Sequence, residues 1–148
     1  MTTEELYEKL ELIQKIKCET ATLEIKSAEN GCPKRLYDSL SSLSNQDEGG
    51  IIIFGVDESQ NYKEVGVYDP QDIQKKINEQ CLQMEPVVRP LITVVEKDNK
   101  FFVSAEIPGA DITDRPVFYK GKGRIKGSFT RGGDSDEPMT EYEVYSYE

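Results

Sequence analysis

The chain has 148 residues, 28 acidic and 18 basic side chains, no histidine and a formal net charge of −10. Without histidine there is no Ser-His-Asp or Cys-His machinery and no imidazole-held metal, and three cysteines without a CxxC pair make neither a disulfide framework nor a zinc knuckle. No apolar run approaches the roughly 20 residues that a membrane span needs, and the acidic N-terminus lacks the order of a signal peptide. These features fit a single domain over 1–148 in a reducing, cytoplasmic compartment.

In chain order, Leu6, Leu10, Ile13 and Ile16 recur at helical spacing and predict a helix over 3–17. Thr2 and Glu5 are spaced as a capping box at its start. Alternation from Thr22 to Ala28 predicts a half-buried strand, with Glu24 and Lys26 on its polar face. A turn at 30–33 leads into a helix over about 34–45, with an apolar stripe of Leu36, Leu40 and Leu43. Gly49-Gly50 precedes the most apolar run, Ile51 to Val56, which predicts a strand buried on both faces and therefore central. A short returning strand over 64–67 follows. Asp69-Pro70 starts a third helix that Pro86 ends, and 90–97 with 101–107 form a hairpin. Strands are expected at 117–120 and 127–131, and a helix begins near Pro138. The order predicts an α+β fold with a mixed, mostly antiparallel sheet and helices packed on it. The abrupt final helix suggests an N-terminal piece of a longer protein, with further domains downstream.

Three places could carry chemistry. Glu24 lies mid-strand and Asp57 ends the central strand; with Glu19 they could hold Mg²⁺ or Mn²⁺ and activate water, with Lys26 stabilising developing charge. The bland alternative is a solvated strand face and a turn residue. Gly49-Gly50 lacks the Lys-Ser/Thr and the helix that a phosphate loop requires, and reads as backbone punctuation. The stretch 115–133 holds six basic residues and no acidic one, so the other 129 residues carry −16. With Phe118, Tyr119 and Phe129 interleaved, it has the composition of a flexible basic hairpin that follows a phosphate backbone. Lys120, Lys122, Arg124, Lys126 and Arg131 would contact phosphates, with Lys26, Lys34 and Arg35 nearby. A solvated hairpin that balances the acidic body is the other reading. The acidic surface and the N-terminal apolar stripe also suit a protein-interaction or oligomerisation module.

Taken together, these segments resemble the Schlafen-type AlbA domain. Glu19-Thr20-Ala21-Thr22-Leu23-Glu24-Ile25-Lys26 is similar to the family's Glu-Ser-x-x-x-Glu-Phe-Lys opening, with Thr20 and Ile25 departing from it. Ser44-Asn45, Gly49-Gly50 and the run to Gly55-Val56-Asp57 are similar to its central segment. Pro116-Val117-Phe118 and Gly127-Ser128-Phe129-Thr130-Arg131-Gly132-Gly133 are similar to its Pro-Val-Tyr and Gly-x-Tyr-x-Arg-x-Gly elements. The resemblance implies a nucleic-acid-binding module of a bacterial transcriptional regulator, with DNA favoured over RNA; no cofactor is expected for that role, and a homodimer would suit a small domain because pairing gains groove area. It also implies an alternative. In Schlafen proteins that cleave RNA, the matching carboxylates form a nuclease site, here Glu19, Glu24 and Asp57 with Mg²⁺ or Mn²⁺.

Overall fold

The computed structural model describes residues 1–148. Helix α1 spans Thr3–Ile16, and its capping box forms as the sequence predicts: Thr2 Oγ1 accepts from Glu5 N, and the Glu5 carboxylate accepts from Thr2 N. Strand β1 (Leu23–Lys26) leads to α2 (Tyr37–Ser44), and then to β2 (Gly50–Phe54) and the short β3 (Val56–Asp57) and β4 (Lys63–Glu64). Helix α3 (Pro70–Cys81) starts at the Asp69 cap, which accepts from Gln71 N and Asp72 N. Strand β5 (Met84–Glu85) precedes the hairpin β6 (Leu91–Lys97) and β7 (Lys100–Ile107). Its turn residues, Asp98 and Asn99, both have positive φ (53° and 64°), as a two-residue hairpin turn requires. Strand β8 (Phe118–Tyr119), the short α4 (Gly123–Gly127), the ribbon β9 (Phe129–Gly132) and β10 (Ser135–Pro138), and α5 (Glu141–Tyr145) complete the chain. No helix is long and apolar enough to cross a membrane.

The main sheet has the order β1-β2-β7-β6. β1 and β2 are parallel, and the other neighbours are antiparallel. The fold is therefore α+β with a mixed, mostly antiparallel sheet, and the apolar run forms an interior strand. Alternate residues of β2 feed two cores. Ile53 joins Leu6, Leu10 and Ile13 of α1, together with Ile25, Val95 and Phe102. Ile52 and Phe54 join Leu36, Leu40 and Leu43 beside α2, and Ile73 and Ile77 of α3. Each fully buried aliphatic side chain of this kind contributes about 1.5–3 kcal/mol.

The Gly49-Gly50 pair is structural. Gly49 has φ +62°, and a Cβ there would lie 2.1 Å from the Ile107 carbonyl oxygen. A Cβ at Gly50 would lie 2.6 Å from Leu43 Cδ2. Any larger residue would push α2 and β7 away from the start of β2.

Helix α2 departs from an ordinary amphipathic helix because Ser39, Ser41, Ser42 and Ser44 are as buried as the leucines. Its leucine side faces the main sheet, and its serine side is covered by the C-terminal segments around β8 and β9–β10. Such burial requires partners for the hydroxyls. Ser41 Oγ donates to Val117 O at 2.6 Å and accepts from Phe129 N at 2.8 Å. Asn45 Nδ2 donates to Val117 O and Phe129 O, and its Oδ1 accepts from Val117 N.

Candidate nucleic-acid interface and the carboxylate cluster

The first candidate site starts from β1. Glu24 and Lys26 share a strand face, but Glu24 is only 6% exposed, so the expected solvated face is buried at this position. The cause is Arg131, carried by β9 across the edge of β1. Its Nη1 donates to Glu24 Oε2 at 2.5 Å and to Asp136 Oδ1 at 2.8 Å, and its Nη2 donates to the Thr20 and Leu23 carbonyls. Asp136 in turn accepts from Ser39 Oγ at 2.7 Å and Ser42 Oγ at 2.5 Å. A single guanidinium therefore joins β1, the C-terminal ribbon and the serine side of α2. Its fork geometry is what makes three directions possible.

Arg131 was expected to contact phosphates, and the structure corrects that expectation: its side chain is 1% exposed and its charge is already met by two carboxylates. The stretch 115–133 is corrected too. It is not a hairpin but the strand β8, the helix α4 and the strand β9 in succession.

Glu19 lies beside Glu24 and accepts from Ile25 N at 2.9 Å. Burial, and then the neighbouring Glu24 carboxylate, push Glu19 up to about 8. The raised value favours the protonated form of Glu19, and Glu24 lies between Arg131 and Lys26, the latter at 3.4 Å. Asp57 plays a different part. Its Oδ1 accepts from Ser59 N and Oγ and its Oδ2 from Gln60 Nε2, which starts a short 3-10 turn. These hydrogen bonds hold Asp57 below the usual carboxylate range. A divalent cation needs oxygen ligands with free lone pairs converging on one point. Here Glu19 is held by a backbone N–H, Glu24 is ion-paired and Asp57 caps a turn, and no three Asp, Glu, Cys or His side chains gather as a metal-holding group. The carboxylate set does not fit Mg²⁺ or Mn²⁺ in this arrangement.

The second candidate site is the lysine loop, the turn at 120–122 together with α4 as far as Lys126. Lys120, Lys122 and Lys126 are exposed, and none of them makes an ion pair. Arg124 differs, because Glu148 holds it at 2.7 Å. Of the nearby basic residues, Arg35 pairs with Asp38, Arg115 with Asp47 and Lys26 with Glu24, whereas Lys34 is exposed and unpaired. The loop is anchored by Tyr119, whose ring stacks on Tyr37 at 3.7 Å between centroids and 8° between planes. A Cβ at Gly121 would lie 2.4 Å from the Tyr119 ring, so the chain folds tightly around that tyrosine. Lys122 Nζ sits 6.0 Å from the centroid of Phe129, within cation–π range. The Tyr37–Tyr119 stack escaped the sequence, because nothing in spacing links residues 82 positions apart.

The chain matches the model of the family described as Schlafen, AlbA_2 over residues 19–140, and it belongs to that family. Among solved structures it is similar to the N-terminal domain of a putative ATP-dependent DNA helicase RecG-related protein from Nitrosomonas europaea. The two are 25% identical with a TM-score of 0.67, over 90% of this chain and 92% of that one. It also shares its fold with the DIP2311 protein from Corynebacterium diphtheriae, at 17% identity and a TM-score of 0.62, over 97% of this chain and 28% of that one. No curated protein sequence matches the chain.

Proposed function

We propose that this domain binds nucleic acid through the Lys120–Lys126 loop and serves as the DNA-binding module of a bacterial transcriptional regulator. The observation that carries the proposal is the set of three exposed lysines, Lys120, Lys122 and Lys126, with no carboxylate partner in a chain of net charge −10. The acidic excess of the rest of the chain disfavours phosphate over most of the surface, which makes a cluster of three unpaired lysines stand out. Lys34 extends the set. Arg124 joins it if phosphate displaces Glu148. Membership of the Schlafen, AlbA_2 family and likeness to a domain of a DNA helicase-related protein support the same reading, and the latter favours DNA over RNA. Three or four phosphate contacts give weak, salt-sensitive binding, in the range of about 10⁻⁴–10⁻⁶ M at physiological salt. A homodimer would bring two such loops to one duplex and raise the affinity by avidity.

The test is a fluorescence-anisotropy titration of the domain with labelled duplex and single-stranded DNA and RNA at two salt concentrations. Micromolar binding that weakens with salt, and is tighter for DNA, is expected. No binding to any of the four at low salt contradicts the proposal. Light scattering over a wide concentration range reads the dimer separately.

A further inference from the structure

The two faces of the main sheet are covered unequally. On one face lie α2 and α3; on the other lies α1 alone. Helix α1 covers Ile25, Ile53, Val95 and Phe102. One step further along the strands on the same face, Leu23, Ile51, Glu106 and Leu91 stand side by side across all four strands. With the usual strand spacing this row is roughly 14 Å long. Cover fades along it: Leu23 is buried in the α1 core, Ile51 and Glu106 are half-buried, and Leu91 is 59% exposed. Helix α1 forms its wall. Lys9, Leu12 and Ile16, at i, i+3 and i+7, face sideways into the gap while Leu6, Leu10 and Ile13 face down into the core. Leu12 and Ile16 are each 39% exposed. The result is a groove of about 780 Å³, inside the range of roughly 300–1,000 Å³ that holds small ligands.

The charges around the groove narrow what fits it. Glu106 is taken by the N-terminal amine of Met1. Lys9 and Arg89, both lining the groove, make no ion pair, and Glu48 at the rim is its one carboxylate without a partner. In a chain with a ten-charge acidic excess, this apolar surface keeps an uncompensated cation. We propose that the groove is a binding site for a small amphipathic anion: an apolar body laid along Leu12, Ile16, Ile51 and Leu91, with one carboxylate met by Lys9 or Arg89. Burying exposed aliphatic surface drives the binding, and the cations select the sign of the head group. The groove lies on the face of the sheet opposite the lysine loop, so the proposal is independent of nucleic-acid binding.

The test is a titration of the 148-residue chain with decanoate below its micelle concentration, read by calorimetry and by ¹H–¹⁵N chemical shifts. The expected result is saturable one-to-one binding, with shifts confined to the Leu23–Ile51–Glu106–Leu91 row and the C-terminal half of α1. Decyltrimethylammonium, with a similar tail and the opposite charge, binds about tenfold more weakly or not at all. Arg89→Glu, at an exposed position with no hydrogen bond to lose, weakens decanoate by about tenfold without lowering the melting temperature. Absence of saturation at millimolar decanoate overturns the proposal, as does equal binding of the cation or a spread of shifts over the whole surface. A dimer that decanoate does not dissociate, and that Leu12→Glu breaks, assigns the groove to a second copy and overturns it as well.

Discussion

Arg131 reaches across 107 positions of sequence to hold Glu24 at 2.5 Å, and this one contact ties the C-terminal ribbon to the edge strand of the main sheet. Both side chains are almost fully buried, so removing Arg131 takes the guanidinium from two carboxylates, whereas removing the Glu24 charge leaves Arg131 its Asp136 partner. Arg131→Met and Glu24→Gln should each lower unfolding free energy by about 3–5 kcal/mol and about 1–3 kcal/mol respectively, the second less because Gln is neutral and leaves Arg131 paired with Asp136. Urea denaturation measures both. The double variant should be less destabilised than the sum of the singles, which identifies direct coupling.

The serines of α2 give opposite expectations at neighbouring positions. Ser41 Oγ has two buried backbone partners, whereas Ser44 Oγ is buried with none. Ser41→Ala should cost about 1–3 kcal/mol because Phe129 N loses its acceptor. Ser44→Ala removes an unsatisfied hydroxyl and should be neutral or stabilising. Paired thermal melts read the difference, and equal losses at the two positions would contradict the assigned network.

Glu19 makes stability depend on pH with a definite sign. Its carboxyl loses its proton near 4.5 when unexceptional but only at about 8 in the fold. Over that interval the native state holds the extra proton, so Glu19's contribution to stability declines as pH rises from 4.5 to about 8. Glu19→Gln keeps an acceptor for Ile25 N and cannot ionise. The melting temperature of Glu19→Gln relative to the unsubstituted chain should therefore rise across this interval and level off above it. A difference that stays constant with pH would contradict the raised value.

Local signals made much of this architecture legible. The Thr2–Glu5 capping box, the Asp69-Pro70 start of α3 and the unbroken apolar run of β2 each act within a few residues, so the sequence contains the whole cause. The lysine loop was legible for the same reason, as a run of like charges without acids. Arg131 was not. In sequence it belongs to that run; in space it belongs to Glu24, Asp136 and the Thr20 carbonyl, all fixed by tertiary packing. The serine side of α2 was illegible in the same way. Serine spacing matches a solvated helix face until the C-terminal ribbon covers it. The carboxylate set shows the same limit: the raised value of Glu19 comes from burial, and the guanidinium on Glu24 comes from tertiary packing, neither of which spacing contains.

In the proposed binding mode Lys120, Lys122 and Lys126 carry the contact with phosphate. The most direct measurement is the slope of log Kobs against log salt concentration for DNA binding, compared between the unsubstituted domain and the triple variant Lys120→Gln, Lys122→Gln, Lys126→Gln. Each phosphate contact contributes about 0.7–0.9 to that slope, so the variant should lose about 2–3 units along with most of its affinity. An unchanged slope with retained affinity would place the phosphate contacts elsewhere on the molecule and rule out the lysine loop as the binding surface.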